Sequence, residues 1–258
     1  MDKKSYAILA SSQKGGVGKT IVAINVTAAL RTAGYEVLVI DTDVANPSIG
    51  PLLGMRETGM GYAEVIKGKV EVEKTQSVFE PTGFYFIPAG GDGEAINPTP
   101  DQLNKFYAKV LKMDFDFIIV DTPPGTKIDG ATKNFDEALI ITTPEETSVF
   151  GAQKLAQIYE RSHLPHKLVI NRVKDDKFEL DEERIEKIYG DIAYALLPED
   201  RVVVESEAKH IPAYLLNRQS QFALSIDELC RAYNLKAGEP DQGVKKRGFG
   251  IRRFFGGK

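Results

Sequence analysis

Cysteine is nearly missing from these 258 residues, with Cys230 standing alone. One thiol excludes an internal disulfide and any cysteine-rich metal cluster within a single chain, and it suits a reducing, intracellular compartment. Long apolar runs are missing as well. No stretch of about 18 apolar residues occurs, so no membrane-spanning helix is expected. The opening Met1-Asp2-Lys3-Lys4-Ser5 does not lead into an apolar stretch long enough for a secretory signal. His163, His166 and His210 show no metal-ligand spacing, and a serine-hydrolase elbow is absent. What is present is an ordinary globular composition, 42% hydrophobic, in a length sufficient for one sizeable α/β domain.

The charge is unevenly spread. Residues 245–258 hold six of the 33 basic side chains and no acid, leaving 27 basic against 37 acidic side chains in the rest. An acidic body with a basic tail argues against a protein that coats nucleic acid with its whole surface.

Apolar, β-branched runs alternate with segments of helical period, the pattern of a mostly parallel twisted sheet with helices on both faces. Strands are predicted at 6–10, 37–40, 84–88, 117–120, 138–142, 168–170 and 193–197, and helices at 20–33, 62–67, 100–111, 148–162 and 181–189. Several of the strand runs are apolar on both faces, as in a sheet covered on both sides. Gly34 suits the end of the first helix because glycine tolerates positive φ. Residues 237–243, with Gly238, Pro240 and Gly243, read as a linker. The expected division is a nucleotide-binding α/β domain over 1–236, a linker over 237–244 and a separate tail over 245–258.

The first strand runs into Lys14-Gly15-Gly16-Val17-Gly18-Lys19-Thr20, which opens the first helix. Strand, glycine-rich loop and Lys-Thr at a helix start form the context of a Walker A motif. Glycine permits backbone angles that turn N–H groups of Gly15, Gly16, Val17 and Gly18 onto phosphate oxygens, and the helix N-terminus adds partial positive charge. Lys19 is expected to bridge the β- and γ-phosphates and the Thr20 hydroxyl to ligate Mg²⁺. Gln13 stands where the general pattern has glycine, and Lys14 adds a lysine that phosphate binding does not require. Downstream, Asp41 and Asp43 end one apolar run, at a spacing that on an extended chain puts both on one side, toward the crevice at the strand ends. A second run ends Asp121-Thr122-Pro123-Pro124-Gly125.

These segments together resemble the MinD/ParA family of P-loop ATPases with a deviant Walker A motif, with Gln13-Lys14 closer to the ParA branch. The resemblance implies ATP and Mg²⁺ as cofactors and an ATP-dependent homodimer in which Lys14 reaches the partner's nucleotide and stabilises developing charge. It makes Asp43 the residue that orients the attacking water, and Asp121 a holder of Mg²⁺ through a coordinated water. The expected catalytic set is therefore Lys14, Lys19 and Asp43, and the expected metal site is Thr20, Asp43 and Asp121. Ile21 departs from the family's usual threonine and removes a hydroxyl contact to the α-phosphate. Asn171, Pro198 and Asp200 correspond to positions that frame adenine. An asparagine amide can pair with the N6/N7 edge, though a strand-end asparagine satisfied without ligand is the plain alternative. Iron–sulfur carriers that share the loop need paired cysteines, which Cys230 cannot supply.

In the tail, Val244, Ile251, Phe254 and Phe255 fall within an arc of about 100° on a helical wheel, opposite Lys245, Lys246, Arg252 and Arg253, while Arg247 and Phe249 break the pattern. Such a segment reads as a membrane-surface binder, disordered when free because Gly248 and Gly250 each cost about 1 kcal/mol of helix propensity. It resembles the membrane-targeting end of MinD-branch proteins, with Ile251, Arg252, Arg253, Phe254 and Phe255 as the contact residues. A solvated basic tail or nucleic-acid arm is the alternative. The expectation is an ATPase with a positional role in cell division or polar organisation, peripheral on the inner face of an anionic membrane and paired with an activating protein. A DNA-partitioning ATPase and a flagellar-number regulator are the rivals.

Overall fold

The alternation of apolar runs and helical segments produces one eight-stranded sheet. The computed structural model describes residues 5–55, 60–125, 130–174, 182–189 and 194–234. Its strands are β1 (Tyr6–Ser11), β2 (Val37–Asp41), β3 (Ser77–Phe79), β4 (Phe84–Ile87), β5 (Phe117–Asp121), β6 (Glu137–Thr142), β7 (His166–Val173) and β8 (Tyr194–Pro198). They lie in the order β3-β4-β2-β5-β1-β6-β7-β8, parallel throughout except that β3 runs antiparallel to β4. The helices are α1 (Lys19–Thr32), α2 (Ile49–Leu52), α3 (Tyr62–Ile66), α4 (Pro100–Val110), α5 (Glu146–Arg161), α6 (Glu182–Tyr189), α7 (Arg201–Lys209), α8 (Ala213–Leu216) and α9 (Gln221–Asn234).

Period-2 alternation sends neighbouring residues of the central strand to opposite faces. Ala7 and Leu9 join the cluster that also holds Tyr62, Phe106, Leu155 and Ile185, from α3, α4, α5 and α6. Ile8 and Ala10 join the other, with Val22, Val26 and Leu30 of α1 and Phe222 and Ile226 of α9. Both faces are thus covered, which is why β2 and β5 are buried at every position.

All seven predicted strands and five predicted helices are present, with ends that coincide or shift by at most three residues. β3, α2 and the three helices after β8 are additional. β3 has only three residues and α2 only four, too short to leave a periodic signal. α7 begins Arg-Val-Val-Val, a β-branched run that favours strand. It is helical because Asp200 accepts a hydrogen bond from the Val202 N–H at 3.0 Å and caps its first turn. α9 has a plain amphipathic period, with Phe222, Ile226 and Leu229 buried. Asn25 in α1 accepts from the Tyr214 N–H at 2.7 Å, tying α8 to the first helix across 189 positions of sequence. The linker and the tail, including Ile251, Arg252, Arg253, Phe254 and Phe255, lie outside the described residues. No helix among the described residues is long and apolar enough to cross a membrane.

Candidate phosphate site and switch segments

β1 lies between β5 and β6, whose connections diverge, so a crevice opens at the C-terminal end of β1. The loop 12–18 fills that end and passes into α1. Gly16 and Gly18 sit at φ 77° and 86°, angles that side chains resist. A Cβ on Gly18 would also land on the Asn171 amide. No acceptor among the described residues takes the backbone N–H groups of Gly15, Gly16, Val17, Gly18, Lys19 or Thr20. Six consecutive unpaired donors at a helix N-terminus form a cradle for an anion of several oxygens.

Lys19 is 8% exposed and its Nζ lies 2.5 Å from Asp121 Oδ1. The Thr20 hydroxyl donates to Asp121 Oδ2 at 2.6 Å. Burial pushes the Asp121 carboxyl above its ordinary range, the charge of Asp43 adds to this, and Lys19 and Thr20 pull the other way. A buried carboxylate beside a hydroxyl with free lone pairs is an all-oxygen set that fits a hard divalent cation such as Mg²⁺. Thr20 and Asp121 therefore meet as expected. Asp43 is close enough for its charge to act on Asp121 and lines the crevice beside them.

The segment that follows β2, from Asp41 (switch I), and the one that follows β5, from Asp121 (switch II), are stitched together at their bases. Thr42 donates through both N–H and hydroxyl to the Asp121 carbonyl, at 2.9 and 2.8 Å. Thr122 does the same to the Ala10 carbonyl, at 3.3 and 3.0 Å, and the Gly125 N–H donates to Ser12 O at 2.8 Å. Movement at either switch is thereby coupled to the loop.

Asp41 departs from its expected direction. β2 ends at this residue, so the extended geometry that would align Asp41 with Asp43 does not continue. Its carboxylate is buried and accepts from the N–H groups of Asp43, Ser48 and Ile49 at 2.9, 2.8 and 3.0 Å. Burial, reinforced by Asp121, raises this carboxyl to about 7 against the pull of those three donors. Asp41 shapes switch I and holds α2, while Asp43 alone reaches the crevice.

Lys14 is exposed at the mouth of the loop. Asn171 donates to the Val17 carbonyl at 2.9 Å, so this buried amide braces the phosphate loop from beneath. Its Oδ1 is not committed to that bond. β7 and β8 place Asn171 and Pro198 on adjacent strand ends. The Asp200 carboxylate is held by the N–H groups of Val202 and Phe222, at the starts of α7 and α9. Its side chain is thus a helix cap, and its backbone is what remains for a nucleotide.

A cavity of about 430 Å³ adjoins Asp43 and was not foreseen from the sequence. It lies between switch I (Thr42, Asp43), switch II (Thr122, Pro123, Gly125), Tyr62 of α3 and Tyr107 of α4. Those tyrosines read as core aromatics, and only their shared exit onto the switches distinguishes them.

Comparison with known proteins agrees with this geometry. The ParA family model, described as NUBPL iron-transfer P-loop NTPase, matches residues 3–191. The septum site-determining protein MinD of Bacillus subtilis is 26% identical over 270 residues, covering 97% of this chain and 98% of that protein. MinD from Pyrococcus horikoshii, solved with Mg-ADP, superposes with a TM-score of 0.80 at 25% identity, covering 91% of this chain and 98% of its own. An iron-sulfur cluster carrier of Methanococcus maripaludis is 33% identical over 174 residues, covering 64% of this chain and 59% of that protein.

Proposed function

This chain belongs to the ParA/MinD family of P-loop NTPases, and from that premise we propose that it is a MinD-like ATPase that dimerises on ATP and docks on anionic membrane through its tail. The observation that carries the nucleotide half is the row of six unpaired N–H donors around Lys19, Thr20 and Asp121.

The loop amides would take the phosphate oxygens without reorganisation. Lys19 would serve the β- and γ-phosphates, and Asp121 with Thr20 would hold the cation. Thr20 would offer its lone pairs to that cation while its hydroxyl is oriented by Asp121. Mg²⁺, when bound, supplies neutralisation of the phosphate charge and a fixed orientation of the γ-phosphoryl group. Asp43 orients the attacking water from the crevice. Lys14 would reach the nucleotide of a second copy and stabilise the charge that develops there. Product release relaxes both switches through the Thr42 and Thr122 stitches.

The membrane half rests on the amphipathic pattern of residues 244–255, and the match to MinD relatives along nearly their whole length supports it. The iron–sulfur carrier reading has the family description and one relative in its favour. This chain offers a single thiol, Cys230, buried at 3% exposure, and a cluster needs several.

The deciding experiment is cosedimentation with anionic liposomes and with duplex DNA, each with ATP and with ADP. ATP-dependent recovery with liposomes, lost on deleting residues 245–258, is the expected result. ATP-dependent recovery with DNA alone would replace the membrane reading with DNA partitioning.

A further inference from the structure

The cavity beside Asp43 is more than the outer part of the phosphate cradle, because none of residues 13–20 lines it. Its walls come from both switches, from Tyr62, from the loop around Ile96 and Asn97, and from Leu103 and Tyr107. At about 430 Å³ it lies within the range of small-molecule sites, roughly 300–1,000 Å³.

Tyr62 and Tyr107 are each 3% exposed, yet neither hydroxyl has a hydrogen-bond partner among the described residues. Neither oxygen is among the fully enclosed unpartnered polar atoms, so both are left facing the space they line. A tyrosine buried to this extent normally finds a partner for its hydroxyl. Two phenols converging on one cavity are donors waiting for an acceptor.

Asp43, on the same lining, supplies the complementary group. Asp43 accepts from the Asn46 N–H through Oδ1 at 3.1 Å, and its Oδ2 has no partner among the described residues. Among the described residues that line the cavity there is no Lys, Arg or His. Val44, Ile96, Pro98 and Leu103 give the same cavity an apolar lining.

We propose that this cavity is a regulatory binding site for a small organic amine, its ammonium on Asp43, its apolar body along Val44 and Leu103, and an acceptor oxygen under the Tyr62 and Tyr107 hydroxyls. An anionic ligand is disfavoured by the Asp43 carboxylate. The proposal rests on the ATPase reading in one respect: an amine on Asp43 engages the residue assigned to orient water, so occupancy changes turnover.

The test uses 4-methoxybenzylamine and its carboxylate counterpart 4-methoxybenzoate on the full chain, followed by ligand-observed saturation-transfer NMR and by ATP turnover. Binding of a fluorescent ATP analogue is measured on the same preparation. The amine is expected to bind, the carboxylate not to, and saturating amine to change turnover at least twofold. Leu103→Trp, which fills the cavity, should weaken the amine at least tenfold. Tyr62→Phe with Tyr107→Phe, which keeps the packing, should weaken it several-fold, and both variants should keep the analogue's affinity. Equal signals from amine and carboxylate, undiminished binding in Leu103→Trp or in the tyrosine pair, or unchanged turnover at saturation would overturn it. Failure of the ATP analogue to bind wild type would count against the ATPase reading instead.

Discussion

Lys19 and Asp121 are a buried ion pair whose partners both have other work. Isolating either charge in such a place costs about 3–5 kcal/mol, whereas replacing both with apolar or neutral groups is much less damaging. Asp121→Asn and Lys19→Met should therefore each destabilise the nucleotide-free protein by a few kcal/mol. The double variant should lose clearly less than the sum, and all three should lose ATP turnover. Urea unfolding without nucleotide measures the coupling, and strictly additive losses would mean the pair is not formed in solution. This cluster was legible in the sequence because a lysine and a threonine at a fixed place in a glycine loop imply a distant carboxylate at a strand end. Asp41 and Asp200 were not. Each is an aspartate at a strand end like Asp121, but their oxygens are taken by backbone N–H groups of segments, α2 and α7–α9, that carried no recognised signal. What separates a cap from a site residue is where the next turn of chain goes.

Among the elements, α3 shows how a five-residue helix stays in place. The Glu64 carboxylate accepts from its own N-cap, the Gly61 N–H, at 3.0 Å and from the Gly91 N–H at 3.1 Å. The N–H groups of Tyr62 and Ala63 donate to the Pro88 and Ala89 carbonyls, both at 2.9 Å. Gly61 and Gly91 are required here, because a Cβ on Gly61 would run into the backbone at Pro88 and one on Gly91 would meet Val44 at 2.8 Å. Glu64→Ala strands two N–H groups and should cost about 1–3 kcal/mol. Hydrogen exchange at Gly61 and Gly91 should rise first, with Glu64→Gln losing less. Unchanged protection at both amides would remove the latch. The sequence placed α3 correctly from its apolar period but could not show its attachment, since a contact across 27 positions leaves no periodic trace. The same reason hid the cavity, whose walls come from five separate stretches.

For the whole molecule, the question is how one copy meets another. Lys14 is exposed at the loop mouth, where a second copy facing the first would bring it to the opposite nucleotide. Asp43→Ala is expected to retain ATP and accumulate as dimer, because nucleotide binds without being cleaved. Lys14→Ala should lose both turnover and dimer, and sedimentation velocity with and without ATP reads each. Monomeric, fully active behaviour of both variants would leave the fold standing and the dimer chemistry without support. On the proposed reading a single short tail with two glycines would bind membrane marginally, whereas two tails on one dimer would raise avidity by about 10²–10⁴. Recruitment should therefore follow ATP, and it should weaken with salt, since each basic residue near an anionic surface contributes about 1 kcal/mol and is screened.

The braces of the phosphate loop come from far along the chain. Val17 is held by Asn171, 154 positions later, and α1 is tied to Tyr214 through Asn25. A chain emerging from the ribosome therefore makes its phosphate loop well before the Asn171 brace, 154 positions later, and makes α1 well before its tie to Tyr214. Until then the loop amides have no fixed curvature, and Gly18 has no neighbour to close against. A nascent chain should accordingly neither hold ATP nor pair with another copy, so the nucleotide state begins with the finished molecule. Protein stopped before α8 would be silent rather than misdirected.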